Sequence, residues 1–336
     1  MKILITGGLG FIGSNFILYW RQLHPQDKIF NLDKITYAAN PKNLSHLNSS
    51  HYIFIKGDIC NPQIVDDLVS KVDVIIHFAA ESHVDRSIND PSLFVKTNVL
   101  GTYNLLHFAT KHKIKHFHHV STDEVYGSIP LKSSKQFSEK TAYNPSSPYS
   151  ASKASSDHFV RSFHKTYGLP VTITNCSNNY GPFQNPEKML PRFITNLLNN
   201  KKIPVYGSGL NLRDWLYVTD HCRAIDLVLN KGKIGESYCI GGLKGGIPNI
   251  QIIKTLLNLM GKDNSFIKYV SDRPAHDNYS VNWSKIKKLG WRPQENLKSG
   301  LRKTIDWYLQ NKTWWRQSKQ EAENFYKKLN KNSNST

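Results

Sequence analysis

Cysteine is scarce in this chain. Its four residues, Cys60, Cys176, Cys222 and Cys239, are widely spaced, with no CxxC pair and no neighbouring histidine motif. Such spacing excludes a disulfide framework and a thiolate zinc site, and leaves four small core residues in a reducing compartment. Long apolar runs are also missing: none reaches the roughly 20 residues that a membrane-spanning helix needs. Met1 leads through Lys2 to Thr6 straight into a glycine loop, so a soluble, cytoplasmic protein with no membrane partner is expected. Acidic residues are few, 25 against 44 Lys and Arg, for a formal charge of +19. The excess is scattered, with short clusters at 285–288 and 327–331, and no helix-turn-helix, zinc-finger or RNA-binding aromatic motif accompanies it. A solvated Lys-rich surface is therefore read in preference to a nucleic-acid partner. His83, His116, His118, His119 and His158 form no group with carboxylates, so no metal is expected.

What is present begins with 336 residues that are 39% hydrophobic, enough for one large or two medium domains. The chain is organised around 120–127, Val-Ser-Thr-Asp-Glu-Val-Tyr-Gly, which follows the apolar alternation of Phe117 to Val120. Thr122, Asp123 and Glu124 should emerge at the end of a strand, the edge where open parallel sheets bind ligands. A hydroxyl there can hold a substrate oxygen, and two carboxyls in different surroundings can divide acid and base duties. Tyr149 and Lys153 lie four apart at the start of a helical pattern and project from one face. An ammonium beside the phenol is expected to lower its pKa and make Tyr149 a base for an alcohol or sugar hydroxyl.

At the amino end, the strand Lys2 to Thr6 runs into Gly7-Gly8-Leu9-Gly10-Phe11-Ile12-Gly13 and then a helix carrying Phe16, Ile17 and Trp20. Glycines in that setting let the backbone approach a pyrophosphate at a helix N-terminus. The next strand ends at Asp33, twenty residues after Gly13, where a carboxylate can meet a ribose hydroxyl and favour NAD. Lys34 beside it is also able to meet a 2′-phosphate. Strands Tyr52 to Lys56 and Val72 to Phe78 deliver Gly57-Asp58-Ile59 and Ala79-Ala80-Glu81-Ser82, and a helix is predicted over Phe94 to Lys111 with Thr97 and Asn98 near its start. Alternating strands and helices predict an α/β fold, a Rossmann-type doubly wound parallel sheet with a smaller mixed α/β lobe. Further helices are predicted over Trp215 to Asn230, Trp283 to Gly290 and Leu297 to Gln310, with a disordered polar tail over 327–336.

Taken in order, TGGLGFIGS, FAAESHVDRS, STDEVYG, YSASK, NCSNNYGP, NPEK and RDWLYVTDH make the chain similar to the extended short-chain dehydrogenase/reductases, and among them to the dTDP-glucose 4,6-dehydratase family, over about residues 2–316. The resemblance implies an NAD site built from Gly7, Gly10, Phe11, Ile12, Gly13, Asp33, Lys34, Thr36, Asp58, Ile59, Ala79, Ala80, Ser82 and Thr97, completed by Tyr149, Lys153 and Asn179. It also implies a substrate site of Ser82, Thr122, Asn178, Lys188, Met189, Pro204, Tyr206, Arg213 and Asn249, finished by Asp272, Arg273 and His276. Lys188 would meet the diphosphate, Pro204 and Tyr206 would bracket the base, and Arg213 would fork onto phosphate oxygens; without the resemblance, Arg213 beside Asp214 reads equally as a surface ion pair. The chain departs from the family's pattern at Met189, where Leu is usual, at Ala275, where Gly is usual, and at Asn278-Tyr279, where Arg-Arg-Tyr is expected.

The domain organisation so implied is 1–177 plus about 214–242 for NAD and 178–213 plus about 243–326 for the sugar nucleotide, in a homodimer. The expected activity is conversion of dTDP-glucose to dTDP-4-keto-6-deoxyglucose and water by internal NAD redox, in deoxysugar biosynthesis of the rhamnose type. Tyr149 with Lys153 would take the 4-hydroxyl proton while Thr122 holds the oxygen, Glu124 would remove the 5-proton, and Asp123 would protonate the leaving 6-hydroxyl. A UDP-glucose 4,6-dehydratase, a sugar-nucleotide 4-epimerase and a non-catalytic NAD-binding scaffold are the alternatives.

Overall fold

The computed structural model describes residues 1–47, 49–130, 133–243, 245–272 and 278–333. Among the described residues twelve strands follow one another along the chain. The first six are β1 (Lys2–Thr6), β2 (Lys28–Asp33), β3 (Tyr52–Lys56), β4 (Val74–His77), β5 (His116–Thr122) and β6 (Val171–Cys176). After them come β7 (Asn178–Tyr180), β8 (Ile203–Tyr206), β9 (Leu212–Tyr217), β10 (Ser237–Ile240), β11 (Gly246–Pro248) and β12 (Ile267–Val270). Seven of them form a parallel sheet in the order β10-β6-β5-β4-β1-β2-β3, so the strand order reverses between β1 and β4. In a doubly wound sheet that reversal opens a crevice beyond the strand ends, because the connections leave to opposite faces.

Both faces of the sheet are covered, which is why its strands, apart from the edge strand β3, are buried nearly throughout. Helix Phe11–Leu23 lays Phe16, Ile17 and Trp20 against Ile3, Ile5 and Ile29 on one face. On the other face Leu105, Leu106, Val160 and Phe163 meet Leu4, Ile75, Phe117 and Ile173. Each such fully buried side chain contributes about 1.5–3 kcal/mol, so the sheet edge rests on a stiff base.

The predicted helix over Phe94 to Lys111 is interrupted: Val95–Gly101 is wound as a π-helix before Thr102–Lys111 continues as α. The wider turn suits Asn98, whose side chain accepts from the Glu81 N–H at 2.8 Å and donates to the Glu81 carbonyl at 2.9 Å and to Ser152 Oγ at 2.8 Å. Helix Trp215 to Asn230 needs correction, because Trp215 to Tyr217 complete β9, which pairs with β7 and β11, and the helix is Val218–Lys231. Alternating Leu212, Asp214 and Leu216 carry the strand signal there. Trp283 to Gly290 shortens to a helix over Ser284–Lys287, while Leu297–Gln310 is as predicted. The polar tail from Lys327 onward continues the helix Lys312–Ser333 as far as Ser333, whose apolar face carries the buried Trp315, Ala322 and Tyr326.

A smaller region, with sheet β11-β9-β7 and the parallel pair β12-β8, stands over the carboxyl edge of the main sheet. Its core, with Phe193, Ile194, Val205, Ile253 and Tyr308, is separate from the two cores flanking the main sheet. Among the described residues no helix is long and apolar enough to cross a membrane, and all four cysteines are free, three of them buried.

Candidate active site

Parallel register brings the ends of β1, β2, β4, β5 and β6 to one edge, with Thr6 beside His77, His77 beside His119, and Thr122 beside Cys176. Gly7 then turns with φ of 72°, and a Cβ there would stand 2.6 Å from Ala79 N; only glycine leaves both the torsion and the space. A cavity of about 290 Å³ follows this edge. Every residue predicted to hold NAD lines it: Gly7, Gly10, Phe11, Ile12 and Gly13 at the helix N-terminus, Asp33, Lys34 and Thr36 around the end of β2, Asp58 and Ile59 after β3, Ala79, Ala80 and Ser82 after β4, then Thr97, Tyr149, Lys153 and Asn179.

The glycine loop is braced from β2. Asp33 accepts from Leu9 N at 2.9 Å and Ile35 N at 2.8 Å, and burial raises its pKa while those bonds lower it. Lys34 is engaged at 2.8 Å by Asp58, on whose carboxyl burial is outweighed by Lys34 and Cys60, holding it below the usual range. A cation already neutralised in this way is poorly placed to receive a 2′-phosphate. The cradle of close-approach glycines, an acidic residue after β2 and a paired Lys34 fits a dinucleotide without that phosphate, which is NAD.

The reacting groups stand at the middle of the wall. Thr122 ends β5, and Asp123 and Glu124 begin the 3₁₀ turn Asp123–Tyr126, in which the Thr122 hydroxyl accepts from Glu124 N at 3.2 Å. Asp123 is 1% exposed, and its pKa is raised well above the carboxylate range by burial, then by the charges of Glu124 and Asp214. Burial and the neighbouring carboxylates thus favour its protonated form. Helix Pro148–Tyr167 starts sharply because Ser147 and Ser150 cap it reciprocally and proline occupies its first turn, which sets Tyr149 and Lys153 on the face towards β5.

The effect on Tyr149 differs from expectation. Its pKa is raised well above 10, first by burial and then by Glu124, while a hydrogen bond with Thr122 pulls the other way. Lys153 Nζ donates to the Val120 carbonyl at 2.9 Å and lies 3.2 Å from His119 Nε2, and burial lowers its pKa to about 8. Spacing along a helix brought the two side chains to one face, but packing against β5 turned the ammonium into the sheet.

A second cavity of about 230 Å³ opens from the first. Ser82, Glu124, Asn178, Asn179, Gln184, Glu187 and Lys188 line both, so Glu124 stands at the junction. Of the predicted substrate residues, Met189, Pro204, Tyr206, Arg213 and Asn249 line the second cavity and Thr122 the first. Lys188 donates to the Ser82 carbonyl at 2.7 Å, and burial lowers its pKa. The buried Oδ1 atoms of Asn178 and Asn249 have no partner among the described residues. Arg213 lies over the Tyr279 ring at 4.8 Å, whereas Asp214 on the opposite strand face is fully buried and accepts from Gly242 N at 2.8 Å and Val281 N at 3.2 Å. The surface-pair reading of Arg213 and Asp214 is thus replaced. Asp272 rests its carboxylate against Gly207, beside the lining; Arg273 and His276, with Ala275, fall outside the described residues. Asn278, which departs from the family's pattern, accepts from Leu212 N at 2.8 Å and donates from its own N–H to Ser128 Oγ at 2.9 Å, tying β9 to the loop after the reacting residues.

Sequence reasoning did not single out Glu187, Arg86 or Tyr326. Glu187, 2% exposed, pairs with Arg86 at 3.1 Å, and the Tyr326 hydroxyl donates to the Glu187 carbonyl at 3.0 Å. Glu187 and Arg86 lie inside quoted motifs, NPEK and SHVDRS, but Tyr326 sits in a polar stretch with no local signal.

Comparison with known proteins agrees with this geometry. The family model described as GDP-mannose 4,6 dehydratase matches residues 4–304. A dTDP-glucose 4,6-dehydratase of Escherichia coli is 48% identical, covering 94% of this chain and 95% of its own. Crystal structures of dTDP-glucose 4,6-dehydratases from Streptomyces venezuelae and Bacillus anthracis, both with NAD, superpose with TM-scores of 0.90 and 0.88 at 46% and 44% identity. Each covers 95% of this chain, and the chain covers 100% and 99% of theirs.

Proposed function

Since the chain belongs to the nucleotide-sugar 4,6-dehydratase family, among its dTDP-glucose 4,6-dehydratases, we propose that it removes water from dTDP-glucose to give dTDP-4-keto-6-deoxyglucose, using NAD. The observation that carries this reading is the pair Asp123 and Glu124 on the wall shared with Tyr149 and Lys153: two carboxyls, one of which has its pKa raised by burial and by the other's charge. Plain alcohol oxidation or epimerisation needs neither of them.

NAD, when bound, supplies oxidation at the sugar 4-position and its reversal at the 6-position, so the net reaction is loss of water. Tyr149, as the phenolate, receives the 4-hydroxyl proton, with Thr122 holding the same oxygen; burial and the Glu124 charge disfavour that anion while the Thr122 hydrogen bond favours it, and a protonated Lys153 on the same helix would favour it further. With a ketone at the 4-position, the neighbouring 5-hydrogen becomes acidic, and Glu124 takes it. Asp123, whose protonated form is favoured by burial and by the charge of Glu124, gives its proton to the departing 6-hydroxyl. Lys188 and Arg213 supply cationic contacts for the diphosphate, Asn178 and Asn249 offer amide oxygens that have no partner among the described residues, and Pro204 and Tyr206 flank the base.

The division into an NAD unit, 1–177 plus about 214–242, and a sugar-nucleotide lobe, 178–213 plus about 243–326, is supported by two cavities that meet along 178–188. Exposed Leu100, Tyr103, Phe159 and Tyr167 on neighbouring helices support a homodimer through that face. A cytoplasmic place in deoxysugar formation is consistent with free thiols and with this product.

Incubation with dTDP-glucose and UDP-glucose in deuterated water tests the reading by mass spectrometry. Loss of one water with deuterium at the 5-position, faster for the dTDP sugar, is the expected result; an unchanged product mass would overturn it in favour of epimerisation.

A further inference from the structure

Lys153 is 3% exposed, yet among the described residues its ammonium is met by no carboxylate directly. Its two contacts at the sheet are the Val120 carbonyl and His119 Nε2. That same Nε2 lies 3.3 Å from Asp157 Oδ1, and both His119 and Asp157 are fully buried. Asp157 is one helical turn beyond Lys153, so the helix stacks cation and anion on one face while β5 inserts the imidazole between them.

The carboxylate is itself tightly held. Asp157 Oδ2 accepts from the Tyr143 hydroxyl at 2.6 Å and from Asn175 Nδ2 at 3.0 Å, and Asn175 also donates to the Thr122 carbonyl at 3.3 Å. Arg161 donates to the Tyr143 hydroxyl at 2.7 Å and lies over its ring at 4.8 Å. The array thus reaches from Arg161, at the rim, to the backbone of the residue that holds the substrate oxygen.

We propose that Asp157 is the buried counter-charge that keeps Lys153 protonated on the helix it shares with Tyr149, with the His119 ring packed against both, so that Asp157 and His119 are positioning residues for proton removal from the sugar. This rests on the dehydratase reading of the site. The arrangement answers a physical need: an ammonium taken out of water sheds its proton unless an anion lies close. Burial lowers the pKa of Lys153 to about 8, and Asp157 is the leading influence in the opposite direction. Asp157 stays ionised, since burial on it is outweighed by His119, Lys153 and Tyr143, which take its pKa to about 2. His119 is neutral, because burial and then Lys153 lower its pKa to about 4, so its ring lies against both charges without cancelling either, while Asp157 Oδ1 has no hydrogen-bond partner among the described residues. The other titratable groups around Lys153 are Tyr149 on its own helix, Cys176 on β6 and His77 on β4; Cys176 and His77 are uncharged at neutral pH, burial raising the one and lowering the other. Neither can replace the carboxylate.

The test is the pH dependence of dTDP-glucose dehydration by Asp157→Asn, which keeps the shape and removes the charge. Without the anion the ammonium loses its proton at lower pH, so the alkaline limb should move down by about one unit or more, and kcat at pH 8 should fall about tenfold while KM changes less than about twofold. His119→Gln, which removes the ring but keeps a neutral polar group, should shift the limb the same way. A folded Asp157→Asn protein whose profile is superimposable on that of the unsubstituted enzyme overturns the proposal, as does failure of both variants to fold, since the array would then be scaffold. Absence of dehydration by the unsubstituted enzyme would instead overturn the dehydratase reading.

Discussion

The Arg86 guanidinium stands 3.1 Å from the Glu187 carboxylate and is sandwiched between the Tyr37 ring at 3.8 Å and the Phe325 ring at 4.3 Å. Four distant parts of the chain meet there: the loop after β2, the short helix after β4 that carries Arg86, the turn before Lys188 and the last helix. Glu187 borders both cavities, so the stack anchors the carboxyl-terminal helix to the substrate junction.

Arg86→Met keeps the stacking volume and strands Glu187 in the interior. A buried carboxylate robbed of its partner costs about 3–5 kcal/mol, discounted here because Arg86 is partly exposed. Thermal unfolding should show a clear drop in Tm. Burial already raises the pKa of Glu187 while Lys188 and Arg86 lower it, so without Arg86 it rises further. A raised carboxyl pKa favours the folded state at low pH and loses that advantage as pH climbs through it. The Tm deficit should therefore be smaller at pH 5 than at pH 8; an equal deficit at both would contradict the pairing.

Asp123→Asn and Glu124→Gln should each lower dehydration by about 10²–10⁴-fold, with NAD still retained on purification. Tyr149→Phe should fall earlier, blocking oxidation at the 4-position. Rapid quench of a single turnover separates the two: the carboxyl variants accumulate oxidised, undehydrated sugar and the Phe variant does not. A Glu124→Gln enzyme at the unsubstituted rate would remove that residue from the mechanism.

Gly7→Ala and Gly168→Ala form a matched pair. Both glycines have φ near +70°, but a Cβ on Gly7 runs into the backbone of Ala79, whereas one on Gly168 meets nothing within 4 Å. Alanine at 168 should cost about 1 kcal/mol of stability and leave activity unchanged. Alanine at 7 should cost about 1–3 kcal/mol or more and abolish NAD binding, measurable by isothermal titration. Equal behaviour of the two would mean that the close approach of Gly7 to β4 does not shape the cofactor site.

Asp33→Ala should weaken NAD binding by about tenfold, the worth of one lost charge-assisted hydrogen bond, and loosen the glycine loop that it braces. Lys34→Ala, which breaks a mostly exposed pair with Asp58, should change stability by less than about 1 kcal/mol and leave NADP no better bound. Titration of both dinucleotides against each variant reads this directly; a gain in NADP affinity for Asp33→Ala alone would mark that carboxylate as the discriminating group.

Sequence alone determined whatever depends on neighbours within a turn or two. The glycine loop between β1 and its helix, Asp33 at the end of β2, the Thr-Asp-Glu run closing β5 and the Tyr149–Lys153 pair are set by local geometry, and all of them line one cavity. Tertiary structure decided what depends on burial and on partners far along the chain. It turned the Lys153 ammonium into the sheet towards His119, raised rather than lowered the Tyr149 pKa, and made β9 a strand by pairing it with β7 and β11. It also brought Tyr326 to Glu187 across 139 residues. The reason is the same in each case. A residue's type and spacing fix which groups it can offer and on which face, but the field and the partners those groups meet arise only once the core has packed around them.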